Sequence, residues 1–191
     1  MVGVDDIVIT GIGAVTPIGI GRDALLNSLL VGKCGSKVLF QAASGKPILV
    51  GATIDNFDGK NYVSPRKALK LMSREVQTAY TAAQLAWEDA GLSAVKPDPD
   101  RMGVVYGSEM IPGDHSDLVD SIVACSVDGE FEPSLWGQHY TKTFPLWMLR
   151  NLPNMPACHV AIAIDARGPN NTIAQEEVSG IVALSEAICI M

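Results

Sequence analysis

Short apolar runs that stop at glycine, separated by segments of helical spacing, set the tightest limit on what this chain can fold into. Ile7-Val8-Ile9-Thr10 is a β-branched run closed by Gly11-Ile12-Gly13, and Met102 to Gly107 is a second one, introduced by the turn Pro97-Asp98-Pro99-Asp100. His159 to Ile164 reads as a third strand with Gly168-Pro169-Asn170 as its turn, and Ile48 to Ile54 adds another extended run. Between these lie helical patterns: Asp23 to Val31, stopped by Gly32, and a long helix from Ser64-Pro65 to about Ala90. In the long one Ala68, Leu71, Met72, Val76, Ala79, Tyr80, Ala83 and Trp87 mark a core face. A last helix is predicted from Gln175 to Ile190. Strands alternating with helices predict an α/β layered fold with a mostly parallel sheet flanked by helices.

With 191 residues the chain has the length of one full domain. Hydrophobic residues make up 48% and charged residues 18%, a globular and rather apolar balance that leaves room for a buried interface. A net charge of −7 argues against a nucleic-acid partner, which needs clustered cations. Arg66, Lys67, Lys70 and Arg74 form the one basic cluster and read as the solvated face of the long helix. Cys34, Cys125, Cys158 and Cys189 show no C-x-x-C pair and no metal-ligand spacing, so reduced thiols, a cytoplasmic setting and no metal are expected. Gly11 and Gly13 invite a dinucleotide reading, but Thr16 stands where the third glycine belongs, and no cofactor is expected. Neither a signal peptide nor a membrane span is read from the sequence. From Ser108 to Leu152 the periodicity weakens and Phe131, Trp136, Tyr140, Phe144 and Trp147 gather, which predicts short helices and an interface or insert at about residues 109–150.

Several landmarks fall in the order of a known family. These are Ile9-Thr10-Gly11-Ile12-Gly13-Ala14-Val15-Thr16-Pro17-Ile18-Gly19, then Asn56-Phe57-Asp58, Leu71-Met72-Ser73-Arg74 and Ala86-Trp87-Glu88-Asp89-Ala90-Gly91-Leu92. Arg101 to Ser108, Asn154-Met155-Pro156-Ala157-Cys158-His159-Val160 and the segment Gly168 to Gly180 complete the series. Together they resemble the N-terminal half of the β-ketoacyl-acyl-carrier-protein synthases, a branch of the thiolase-like superfamily. The likeness covers nearly the whole chain apart from roughly residues 109 to 143, as one ketoacyl-synthase-like N-terminal domain over residues 1–191.

The resemblance implies a nucleophile elbow in Gly168 to Gly180, where the family carries a cysteine at the positive end of a buried helix. The helix dipole and amides there lower the thiol pKa and yield the thiolate that accepts an acyl group. In this chain Glu177 holds that position, next to Glu176. A carboxylate also gains from a helix N-terminus. Acyl transfer onto it gives a mixed anhydride, uphill and quickly hydrolysed, so it does not replace the thiolate. The family's two catalytic histidines and structural lysine are expected in a C-terminal half, beyond Met191, and His115, His139 and His159 are not their counterparts. Cys158, before the predicted strand, and Cys189, far along the last helix, are read as small core residues.

The resemblance therefore implies a protein of fatty-acid or polyketide biosynthesis without condensing activity on its own. It would act as a partner subunit similar to a chain-length factor, in a homodimer or heterodimer joined near Asn171 to Ala174, with an acyl carrier protein as a further partner. Two alternatives stay open: part of a split or truncated 3-oxoacyl-acyl-carrier-protein synthase, an acyltransferase, or a thioester decarboxylase or hydrolase using Glu176 or Glu177 as acid or base. Consecutive helical residues point about 100° apart, which weighs against the last.

Overall fold

A computed structural model describes residues 6–42, 45–109, 111, 113 and 115–191, with the side chains at 47 and 48 left aside. The chain forms two compact units, one from the residues up to Val63 together with Thr78–Asp98, the other from Ser64–Gln77 and Pro99–Met191.

In the first unit β1 (Val15–Thr16) and β2 (Gly19–Ile20) make a tight antiparallel turn, sealed where the Thr16 hydroxyl donates to the Gly19 carbonyl at 2.8 Å and accepts its N–H at 3.1 Å. Helix α1 (Arg22–Leu30) follows at once, matching the predicted helix to within a residue, because Gly21 at φ 87° and Gly32 at φ 65° stop it at either end. β3 (Lys37–Gln41) and β4 (Pro47–Gly51) form an antiparallel hairpin.

The predicted strand Ile7–Thr10 is not formed. Residues 7–10 take part in no ladder, and Ile9 is 76% exposed. Its β-branched side chains favour a pleated surface only when a neighbouring strand supplies one. The glycines after it have a plainer use than phosphate binding. A Cβ on Gly11 or Gly13 would collide with the backbone of α2 (Arg74–Asp89) at Ala86 and Ala82, so their bareness lets the segment lie flat on that helix. The Ile12 N–H then donates to Asp89 at 2.9 Å.

The long predicted helix is broken. Arg66–Leu71 is a 3-10 turn, Met72 is extended, and α2 begins only at Arg74, with the Ser73 hydroxyl accepting the Val76 N–H at 3.4 Å in N-cap fashion. Apolar spacing ran on through a cap that Ser73 marks. The four cations thus do not share one helix, although all are exposed. Downstream, a short α3 (Leu92–Val95) closes the first unit's second stretch.

In the second unit β5 (Val104–Gly107) is the first strand. It leads into α4 (Ser116–Ala124), the antiparallel pair β6 (Ser126–Val127) and β7 (Glu130–Phe131), and the short helices α5 (Trp136–His139) and α6 (Trp147–Asn151). The expected short helices between 108 and 152 are therefore present, with a hairpin among them. Their interior holds polar pairs beside the buried Ile111 and Cys125. Arg150 donates twice to the buried Asp117 carboxylate, at 2.8 and 3.1 Å, and lies over the Phe144 ring at 5.5 Å, while the Ser121 and Thr143 hydroxyls meet at 2.7 Å.

Residues Met155–Ile164 form helix α7, not the strand predicted for His159–Ile164. A short apolar run does not separate a strand from a buried helix. Pro156, suited to a first turn, and the buried set Pro156, Ala157, Val160 and Ala161 carry the helical period. β8 (Asn170–Ile173) then pairs with β5 in parallel, Val104 opposite Asn170 through Gly107 opposite Ile173, and α8 (Ser179–Ile190) ends the chain. With α7 and α8 packed on β5 and β8, this unit has the parallel, helix-flanked α/β arrangement that the alternation predicted. Among the described residues no helix is long and apolar enough to cross a membrane.

Candidate functional site

The segment expected to form the elbow has its turn between β8 and α8. Its turn, Glu176–Val178, is a single 3-10 turn in which Glu176 adopts φ 52°, a left-handed conformation that strains a residue with a Cβ by roughly 1–2 kcal/mol. Ser179 holds that turn. Its hydroxyl, on a residue 3% exposed, accepts the Gln175 N–H at 2.8 Å and donates to the Glu176 carbonyl at 2.6 Å. The sequence reading passed over Ser179; a serine opening a helical run was the available signal.

Beneath the turn, strand and helix approach as closely as backbones can. A Cβ on Gly107 would sit 2.5 Å from the Gly180 Cα, so only glycine fits there. A recess of about 290 Å³ runs between β5 and α8, lined by Tyr106, Gly107, Gly180, Leu184 and neighbouring residues. Burial pushes the Tyr106 phenol up to about 12, so it stays protonated across the ordinary pH range. On the outer side the Asn171 amide donates to Glu186 at 2.6 Å and its oxygen accepts the Thr172 N–H at 2.8 Å.

Glu176 and Glu177 are both exposed, and among the described residues neither carboxylate is hydrogen bonded. Of the cysteines, Cys189 is exposed on the last turn of α8, about 15 Å along the axis from Ser179 at 1.5 Å per residue. Cys158 lies inside α7, not ahead of a strand, and receives a long contact from Asn154 at 3.7 Å. Core placement therefore fails for Cys189, while Cys125 is the fully buried thiol. Among the histidines, His159 is half-buried on α7 and donates to the Leu71 carbonyl, with burial pulling its pKa below the usual range. His139 ends α5 and His115 precedes α4. Among the described residues no group of three or more His, Cys, Asp or Glu side chains is arranged to hold a metal ion.

Residues 4–190 match the family model for the N-terminal domain of the β-ketoacyl synthases. The chain belongs to that family. It is 29% identical over 182 residues to a 3-oxoacyl-[acyl-carrier-protein] synthase 2 of Coxiella burnetii, covering 95% of this chain and 41% of the relative. Over 100 residues it is 35% identical to the tetracenomycin polyketide synthase ketoacyl synthase beta subunit of Streptomyces glaucescens, which covers 52% of this chain and 24% of that one. A crystal structure of a β-ketoacyl synthase from Burkholderia phymatum superposes with a TM-score of 0.68 at 26% identity, over 95% of this chain and 42% of that protein. The chain spans about two fifths of the length of the synthases it matches. The fold is thus that of the ketosynthases, a thiolase-like α/β fold.

Proposed function

We propose that this chain is a ketosynthase-like subunit of fatty-acid or polyketide biosynthesis that does not itself condense acyl groups and works beside a competent synthase, in the manner of a chain-length factor. One observation carries the reading: the elbow presents Glu177, an exposed carboxylate, where the family resemblance calls for an activated thiol. A carboxylate at that turn does not form a durable acyl-enzyme. Cys189, about 15 Å along α8, receives nothing from the helix's positive end.

Support for a partner comes from uncovered apolar surface. Ile181 is 74% exposed and Leu184 55% exposed on α8, and Phe131, Trp136, Tyr140 and Met148 are exposed in the 109–150 segment. The Streptomyces glaucescens relative is named a beta subunit, and the Coxiella burnetii relative is named for an acyl carrier protein. On this reading residues 1–191 act as one family domain, the 109–150 segment is its interface, β8 joins a homodimer or heterodimer near Asn171 to Ala174, and an acyl carrier protein is the further partner. The setting is cytoplasmic, with no nucleic-acid or membrane partner.

Incubation with acyl-carrier-protein thioesters tests it directly. The intact mass should stay unchanged, and Glu177→Cys should not gain condensation. A covalent acyl adduct on any residue of the unaltered chain overturns the reading.

A further inference from the structure

Residues Ser64–Gln77 belong to the second unit, although the chain on both sides of them belongs to the first. The excursion packs on α6 and buries Met72 and Val76, and His159 ties it to α7: one ring N–H donates to the Leu71 carbonyl at the end of the 66–71 turn. The other ring nitrogen, Nε2, is buried and has no hydrogen-bond partner. A neutral ring tolerates that arrangement, since a bare acceptor is the lesser cost. A protonated ring would place an N–H and a positive charge in the same spot with no acceptor.

The surroundings do not soften that cost. Helix α7 packs against β5, β8 and α6, and meets the 66–71 turn through the Leu71 bond. The titratable and charged groups on those elements are Arg66, Lys67 and Lys70 of the turn, Arg150 of α6 and Tyr106 of β5; β8 carries none. On α7 itself the other titratable group is Cys158. All of the charged groups are cations, and Arg150 is already committed to Asp117. The excursion also carries Arg74 and Glu75, both exposed, in the first turn of α2.

We propose that His159 is an acid-sensitive latch, which holds the Ser64–Gln77 excursion against α7 while the ring is neutral and lets it go when the ring takes a proton. The sign follows from burial. The ring binds its proton more weakly when latched than when released, so the latch is fully closed above about 6.5, the value of a free histidine, and weakens as pH falls below it.

Hydrogen exchange on the whole chain, corrected for intrinsic rates, measures this. Protection of amides between 66 and 77 should fall by up to about tenfold for each pH unit below about 6.5, while α4 keeps its protection. His159→Asn retains a donor for the Leu71 carbonyl but has nothing to titrate, so its protection should not vary with pH. Because that variant can fail to fold, NMR titration of the His159 ring in the unaltered chain provides the second reading. A ring that titrates at or above 6.5, or protection lost equally from α4 and from 66–77, overturns the latch.

Discussion

Glu176 carries a backbone strain that its own side chain does nothing to relieve, and the buried Ser179 hydroxyl holds it in place by two hydrogen bonds. Ser179→Ala removes both and leaves the Gln175 N–H without that partner, so urea unfolding should show a loss of about 1–3 kcal/mol. Glu176→Gly should go the other way, raising stability by up to about 1 kcal/mol, because glycine adopts φ 52° freely and part of the gain is spent on its larger unfolded entropy. Glu177 enters neither effect. Its side chain is exposed and unbonded, which is why Glu177→Gln should leave the unfolding free energy within about 0.5 kcal/mol of the parent. The identity of residue 177 was legible in the sequence; the clasp that fixes its surroundings was not, since it depends on a φ angle and a hydroxyl two positions away.

At the level of elements, the strand-to-helix contact at Gly107 and Gly180 sets how α8 lies on the sheet. Gly107→Ala drives a methyl into the Gly180 backbone, which cannot swing aside, and should cost about 2 kcal/mol or more in thermal or urea unfolding. Elements whose ends are written in special residues were readable beforehand: α1 between Gly21 and Gly32, and β5 with its glycine stop. Elements whose identity depends on what covers them were not. Ile7–Thr10 has strand composition without a ladder, and Met155–Ile164 has a strand-like apolar run that packs as a helix. The Asp117–Arg150 pair escaped notice for a different reason, because 33 residues of weak periodicity separate the two partners.

For the molecule as a whole, the exposed apolar residues of α8 and of the 109–150 segment make association the main expectation. If copies of the chain cover these surfaces, the thermal midpoint should rise with protein concentration and sedimentation should give a mass above that of one chain. A concentration-independent midpoint together with a monomeric mass would remove the homodimer and leave a different subunit as the partner. The excursion at 64–77 has a separate consequence, one of timing. During synthesis this stretch leaves the ribosome before residues 99–191, the rest of the unit it belongs to, while the first unit still waits for residues 78–98. Neither unit is a contiguous length of chain: all of the first has been made once Asp98 appears, whereas the second must capture a piece made long before the rest of it. Cutting the chain after Asp98 would therefore leave the first unit whole but strand residues 64–77, a loop whose dock has not been made.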